Sequence, residues 1–207
     1  MGHENQPPSI YVIAAHPNWR NSRVNRALRT AAIATPGVAL CDLYETYPDY
    51  AIAVQEEQAK LDAAQLVVLM HPVQWYSMPA LLKLWVDEVL SYGWAYGHGA
   101  SALKGKDLWL VASTGGAESS YHPQGYNRYF FDAFLPPYEQ TAALCGMRFL
   151  PPMVLHGAHS ASQEAMTEHV NTFAQRLNTY PNWPELDDLE DCIACEVPER
   201  DRPAEEH

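Results

Sequence analysis

The chain alternates between short apolar runs and longer stretches in which apolar residues recur every three or four positions. The short runs occupy residues 9–15, 38–43, 65–71, 107–113 and 148–156 and are rich in branched side chains. Their length and composition predict five β-strands. Because helical patterns separate the runs, the sequence predicts an α/β fold, with a parallel sheet covered by helices on both faces.

The helical stretches complete a doubly wound, five-stranded pattern. Helices are predicted over 24–31, 54–64, 80–89, 130–145 and 166–177, the fourth of them interrupted near Pro136 and Pro137. Sheets of this kind bind ligands beyond the carboxyl ends of their strands, where the strand order reverses. We therefore look for function in the segments that follow strands one, three and four.

Negative charge is concentrated at the end of the chain. The net charge is −12, and residues 185–207 contain ten acidic side chains against two arginines. The remainder is only mildly acidic and offers no strongly basic surface, which argues against a nucleic-acid partner. We expect one domain over residues 1–180 and a mobile acidic tail over 181–207.

The sequence has no pattern typical of a membrane span, a secretory signal or a metal site. No apolar run approaches the roughly 20 residues of a membrane span, and the polar start does not resemble a secretory signal, so we expect a cytoplasmic protein. Cys192 and Cys195 have the spacing of a redox or zinc pair but lack a second pair and a following helix. His156 and His159 lack a third ligand, so no metal site is expected.

Three loops carry candidate chemistry. In residues 16–25, Ser22 can cap a helix whose first amides would bind an anion, although an ordinary capped helix has the same pattern. Arg20, Arg23 and Arg26 crowd that helix start, which favours an anion there. The glycine fingerprint and the Walker pattern are both missing, which argues against a nucleoside triphosphate.

The second and third loops suit a flat ligand. Residues 71–79 place Gln74, Trp75 and Tyr76 between prolines, so they can form a wall for a planar heterocycle, unless both aromatics pack on the core. Residues 113–121 contain Gly115 and Gly116, which allow backbone to approach a ligand closely. Together the loops predict a site for something flat with a phosphate at one end.

Four strings of the sequence closely resemble the flavodoxin-like quinone reductases. They span residues 42–49, 71–85, 93–99 and 114–116, within a resemblance that covers about residues 9–178. Among these proteins, the chain most resembles the KefF/KefG ancillary subunits of glutathione-gated potassium-efflux systems. The resemblance implies a flavodoxin-like fold, a bound FMN rather than FAD, and two-electron reduction of quinones by NADPH or NADH in a ping-pong exchange.

The resemblance also implies roles for particular residues. The ribityl phosphate would be held by His16, Ser22, Arg23, Val24 and Asn25. The isoalloxazine would be bordered by Val73, Gln74, Trp75 and Tyr76 and closed over by Thr114, Gly115, Gly116 and Ala117. Ala117 replaces a glycine that is common in relatives, and Asn127 stands where animal quinone reductases have a histidine. Tyr121 and His122 are the candidates for orienting substrate or protonating the quinol.

Relatives of this kind suggest partners and alternatives. The family usually forms homodimers, and the KefF type docks on the cytoplasmic face of a potassium–proton antiporter, which would place the chain peripherally on the inner membrane. A non-catalytic regulatory subunit, an azo or nitro reductase, and a flavodoxin-type electron carrier remain the alternatives to a quinone reductase.

Overall fold

A five-stranded parallel sheet forms the centre of the molecule. The computed structural model describes residues 10–189, in which the strands lie in the order β2-β1-β3-β4-β5. Their bounds are β1 (Ile10–Ala14), β2 (Val38–Asp42), β3 (Leu66–Pro72), β4 (Asp107–Ser113) and β5 (Arg148–Leu155). All four strand pairings are parallel, and the order 2-1-3-4-5 is that of flavodoxin-like sheets, so the predicted α/β, flavodoxin-like fold is confirmed.

Helices connect the strands. Their bounds are α1 (Val24–Ala34), α2 (Leu43–Thr46), α3 (Val54–Ala63), α4 (Ala80–Val89), α5 (Pro136–Leu144) and α6 (Gln163–Thr179). The helix predicted over 130–145 is a 3-10 turn, Phe131–Phe134, followed by α5. The division lies at Pro136, because proline lacks the amide hydrogen that a continuing helix needs and fits a first helical turn instead.

The three central strands, β1, β3 and β4, are buried on both faces, which explains why their sequences are almost entirely apolar. Along β1, Tyr11 and Ile13 point into one core, and Ile10, Val12 and Ala14 point into the other. The first core is covered by α3, α4 and α5, and the second by α1 and α6. Helices therefore cover both faces, as the alternating pattern predicts.

A buried carboxylate joins three elements of the first core. Glu57 of α3 is fully buried and accepts hydrogen bonds from Tyr11 Oη at 2.6 Å, Tyr47 Oη at 2.8 Å and Trp85 Nε1 at 2.8 Å. Lys60 Nζ lies 2.6 Å from the same carboxylate. Burial alone would raise the pKa of Glu57, but these four donors hold it below its usual value.

Strand β5 lies at an edge of the sheet and contains two consecutive prolines. Pro151 and Pro152 coincide with a register shift between Trp109 and Val111 of β4. Trp109 Nε1 donates to the Pro151 carbonyl at 3.1 Å. Prolines are tolerated here because an edge strand with a bulge does not need a complete ladder of amide donors.

The packed domain extends beyond the expected boundary at residue 180. Trp183 and Leu186 are buried in the core that α1 and α6 cover, and Trp183 packs edge-on against Trp109 at 4.9 Å. Residues 181–189 thus belong to the folded body rather than to a mobile tail, because these two apolar side chains anchor them. The rest of the expected tail, with Cys192 and Cys195, lies outside the described residues. No helix within residues 10–189 has the length and apolar character needed to cross a membrane.

Candidate functional site

An open cleft lies beyond the carboxyl ends of β1, β3, β4 and β5. Its volume is about 330 Å³, within the usual range for small-ligand sites. The cleft lies between β1 and β3, where the strand order reverses, as is usual for ligand sites in doubly wound folds. It is lined by His16, Asn21, Ser22, Arg23, Val24, Asn25, Pro72, Val73, Gln74, Ser113, Thr114, Gly115, Ala158 and His159.

The start of α1 supplies one wall. Ser22 Oγ accepts the Asn25 backbone amide at 3.2 Å, as a capping serine does. Asn25 Nδ2 donates to Ser22 Oγ at 3.2 Å and to Ser113 Oγ at 2.8 Å. Asn25 is only 3% exposed, and its Oδ1 has no hydrogen-bond partner within the described part of the chain. A buried acceptor without a partner is costly, so this oxygen marks where a ligand hydroxyl or amide could donate.

His16 presents a defined donor to the cleft. Its Nδ1 accepts the Asn18 backbone amide at 3.0 Å, so the proton of the neutral ring is on Nε2. Burial lowers the pKa of His16 and favours that neutral form. The ring therefore offers an N–H donor without bringing a permanent charge.

The loop after β3 is held in a strained turn. Gln74 and Ser77 exchange both backbone hydrogen bonds, at 2.9 and 3.0 Å, around Trp75 and Tyr76, which have φ angles of 47° and 65°. Two consecutive non-glycine residues with positive φ are rare, and such strain is concentrated at functional sites. Trp75 is 94% exposed, so this turn directs its indole into solvent instead of the core.

A buried histidine fixes the start of the same loop. His71 Nδ1 lies 2.9 Å from the Pro72 carbonyl, which can only accept, so Nδ1 carries the proton. Nε2 then accepts the Tyr138 hydroxyl at 3.2 Å. Burial lowers the pKa of His71 to about 4, so the ring stays neutral and keeps both bonds at physiological pH.

The glycine loop after β4 is joined to the end of β5. Thr114 N–H donates to Leu155 O at 3.0 Å, Gly157 N–H to Gly116 O at 2.8 Å, and Ala158 N–H to Thr114 O at 2.8 Å. The Thr114 hydroxyl donates to Gly116 O at 2.7 Å, so His156 Nδ1, 3.1 Å away, must be the donor to Thr114 Oγ1. The loop therefore has a fixed conformation.

The remaining predicted residues lie beside the cleft. Trp75, Tyr76, Gly116 and Ala117 do not line it, although their loops do. Tyr121 is 8% exposed and packs against Phe131 and His156, and burial raises its pKa, so its hydroxyl keeps its proton. His122 is exposed and meets Phe130 edge-on.

Asn127 takes a supporting position near these residues. It is nearly buried, and its Oδ1 accepts the Tyr76 hydroxyl at 3.3 Å. Its Nδ2 lies 3.5 Å from where a Cβ on Gly116 would stand. Asn127 therefore connects the loop after β3 to the loop after β4.

Sequence reasoning missed five residues that line the cleft. Ser113 directly precedes the predicted glycine loop, and Pro72 precedes the predicted aromatic loop, so both could have been identified from the sequence. Asn21 adjoins the predicted Ser22. Ala158 and His159 follow β5, and their only signal was the histidine pair weighed for zinc. Within residues 10–189 no three His, Cys, Asp or Glu side chains gather as a metal site.

The charge of the cleft favours an anion. The described residues that line it include Arg23 and two histidines but no aspartate or glutamate. Arg23 also donates to Gln163 Oε1 at 3.2 Å, which joins the start of α1 to the start of α6. The arrangement can bind an anionic group near α1 and a planar group near the loops after β3 and β4.

Solved structures that are similar to this chain include one with bound FMN. A structure described as a thermophilic tryptophan halogenase from Streptomycin violaceusniger has a TM-score of 0.78 and 38% identity, covering 84% of this chain and 99% of that one. General stress protein 14 from Treponema denticola, solved in complex with FMN, has a TM-score of 0.74 and 34% identity over 84% and 97% of the two chains. An NADPH-quinone reductase from P. pentosaceus has a TM-score of 0.74 and 27% identity over 82% and 97%.

The sequence comparisons identify the family. The chain is 42% identical over 168 residues to the glutathione-regulated potassium-efflux system ancillary protein KefF of Citrobacter koseri, a match that covers 81% of this chain and 94% of that protein. The family model described as "Flavodoxin-like fold" matches residues 8–177. Because this match spans most of its length, the chain belongs to the flavodoxin-like fold family.

Proposed function

We propose that the protein is an FMN-dependent oxidoreductase that reduces quinones with NADPH or NADH. The observation that carries this proposal is the cleft itself, which has anion-binding groups at one end, a strained aromatic turn beside the other, and no lining carboxylate in the described region. Similar proteins solved with FMN or named as quinone reductases support the choice of cofactor and reaction.

The residues present fit FMN. The phosphate would be held by the first amides of α1, Arg23 and the His16 Nε2–H, and the unpartnered Asn25 Oδ1 would accept a ribityl hydroxyl. The isoalloxazine would lie against Val73, Gln74 and the Thr114–Gly115 backbone. Bound flavin supplies the capacity to accept and donate hydride, which no amino-acid side chain can provide.

The chain's own contribution is position and electrostatics. Backbone amides of the loops after β3 and β4 are fixed by the contacts of His71 and Thr114, so they can donate to a developing negative charge without rearrangement. The turn at Trp75 and Tyr76 leaves an open side where nicotinamide and quinone can bind in turn. Tyr121 and His122 remain the candidates for orienting the quinone or supplying a proton to the quinol.

A spectroscopic titration tests the cofactor and the reaction together. FMN added to the protein should bind stoichiometrically, and anaerobic NADPH or NADH should bleach the bound flavin before a quinone restores its absorbance. Steady-state kinetics should give parallel double-reciprocal lines, as a ping-pong exchange requires. A protein that takes up no FMN would disprove the proposal, and one that reacts only slowly with both nucleotides would be a flavodoxin-type carrier instead.

The variant Asn25→Asp, with Asn178→Asp as its control, tests whether Asn25 belongs to the cofactor site. The change is isosteric, and it sets a carboxylate beside the proposed phosphate, so FMN affinity should fall about a hundredfold. Asn178→Asp, an exposed asparagine in the last turn of α6, should bind FMN as the wild type does. Equal affinity of the two variants would contradict the assignment of Asn25 to the cofactor site.

A regulatory role in potassium efflux is the second candidate, favoured by the 42% identity to a KefF protein. In this role the chain would dock on the cytoplasmic side of a potassium-efflux antiporter and activate it. Efflux from vesicles containing the antiporter should rise on addition of the protein. Activation of efflux by flavin-free Asn25→Asp would show that docking, and not redox turnover, is the regulatory event. Loss of activation in this variant would favour redox turnover.

We also propose a homodimer. Five of the seven large, exposed hydrophobic side chains of the described residues belong to two short segments, 75–76 and 126–130. Phe134 joins the segments, since it stacks on Tyr76 at 5.2 Å and meets Tyr129 edge-on at 6.3 Å. An exposed aromatic surface of this kind is typical of a protein interface, and it borders the open side of the cleft.

A further inference from the structure

The turn between β5 and α6 forms a fourth wall of the cleft, in addition to the three loops that follow β1, β3 and β4. Residues 155–158 contribute three backbone hydrogen bonds to the glycine loop, at 2.8 to 3.0 Å. The turn is therefore fixed to the floor of the cleft, and Ala158 and His159 line it.

His159 lies directly on Gly115. A Cβ added to Gly115 would stand 3.2 Å from both Cδ2 and Nε2 of the imidazole, closer than side chains normally approach. Gly115 does not have a positive φ, so its backbone conformation does not require glycine. The missing side chain therefore has a packing reason, because it makes room for the His159 ring against the floor of the cleft.

The position of the turn indicates which end of the cleft His159 serves. Arg23, at the start of α1, donates to Gln163, the first residue of α6. His159 precedes that residue by four positions, so the turn that carries it is joined to the start of α1 through this hydrogen bond. Arg23, His16 and His159 are the residues with basic side chains in the lining, and no acidic side chain of the described region opposes them there.

We infer that His159 is a further binding residue for the phosphate of the flavin, acting from the turn between β5 and α6. The inference rests on the proposed function, since it assigns a residue to the same cofactor. An imidazole N–H donates well to a phosphate oxygen, and a phosphate gripped by donors on two walls is held more tightly than one seated only on a helix start. His159 thus selects flavins that carry a phosphate.

Calorimetric titration with FMN and with riboflavin tests the assignment. His159→Ala should weaken FMN binding about tenfold, the usual worth of a hydrogen bond to a charged group, and leave riboflavin binding nearly unchanged. His159→Gln keeps an N–H donor and should recover most of the FMN affinity. His98→Ala removes an exposed histidine outside the cleft lining and should bind both flavins as the wild type does.

Two outcomes would overturn the inference: an unchanged FMN affinity in His159→Ala, or an equal loss for FMN and riboflavin, which would mean that the ring only supports the loop. A wild-type protein that binds neither flavin would instead defeat the proposed function. In that case, NMR titration of the imidazole resonances with inorganic phosphate decides the matter. A shift of the His159 signals that exceeds that of His98 supports an anion site, and equal shifts exclude one.

Discussion

At the scale of single residues, strain and missing partners mark the site. Trp75 and Tyr76 adopt a backbone conformation that favours glycine or asparagine, and Asn25 buries a carbonyl oxygen that has no donor among residues 10–189. Neither feature contributes to stability. Both lie in or beside the cleft, where a ligand can use an open aromatic turn and an unpartnered acceptor.

We predict that Trp75→Asn stabilises the free protein by about 0.5–1 kcal/mol, because asparagine tolerates positive φ and the exposed indole has little packing to lose. The same change should lower the rate of the proposed quinone reduction, since it removes the aromatic edge of the open side. Urea unfolding and steady-state kinetics measure the two effects. Ile33→Asn, at an exposed residue of α1, should instead destabilise slightly; loss of stability in Trp75→Asn would show that the turn is not strained.

In contrast to the Asn25 oxygen, the buried carboxylate of Glu57 is surrounded by hydrogen-bond donors. Glu57→Gln replaces a buried carboxylate held by four donors, and it should cost about 3 kcal/mol in the free energy of unfolding at pH 7. Glu56→Gln changes an exposed neighbour and should cost little.

The effect of Glu57→Gln should also depend on pH. The folded-state pKa of Glu57 is lowered, so its stabilisation is complete above the unfolded pKa of about 4.3 and is lost as the pH falls through the lower folded value. The difference in stability between wild type and Glu57→Gln should therefore shrink below about pH 4. A difference that is constant from pH 7 to pH 3 would show that the carboxylate charge does not contribute.

At the scale of elements, the strands were predictable to within one residue at every end. Parallel strands buried on both faces have uninterrupted apolar sequences, so β1, β3 and β4 are recognisable without any tertiary information. Helix α2 has only four residues, too few for a periodic pattern. Trp183 and Leu186 stand among acidic residues, so only the packed core reveals that they belong to it.

The loops of the site were predictable for a different reason. The carboxyl ends of parallel strands meet at one edge of a sheet, so the segments after β1, β3 and β4 had to converge. The approach of His159 to Gly115 was not predictable, because it depends on how the turn after β5 folds back over the glycine loop. No spacing of residues in the sequence indicates the contact between His159 and Gly115.

The loop over residues 118–127 depends on a close backbone approach at Gly125. A Cβ there would overlap the backbone of Ser119 and Ser120, whereas at Gly116 it would meet the movable hydroxyl end of Tyr126 at 2.6 Å. We predict that Gly125→Ala lowers the free energy of unfolding by about 2 kcal/mol, and that Gly116→Ala lowers it less, because a side chain can move where backbone cannot. Chemical denaturation of both variants measures this difference, and equal losses would contradict the argument.

At the scale of the whole molecule, the exposed aromatic segments predict association of two copies. The wild type should sediment at twice the monomer mass, and Phe130→Asp should shift it towards the monomer, because a buried, unpaired charge opposes association. Ile33→Asp, at another exposed apolar residue, should remain dimeric. A wild type that sediments as a monomer at micromolar concentration would rule out the proposed dimer.

The prolines of β5 limit how such copies can meet. A strand with two adjacent prolines and an interrupted ladder is a poor template for a further strand, since an incoming chain would find amide donors missing. We therefore expect no strands from other copies to be added at the β5 edge to form a continuous sheet. In the proposed dimer, two copies would therefore contact each other through side chains and not by adding strands at this edge of the sheet.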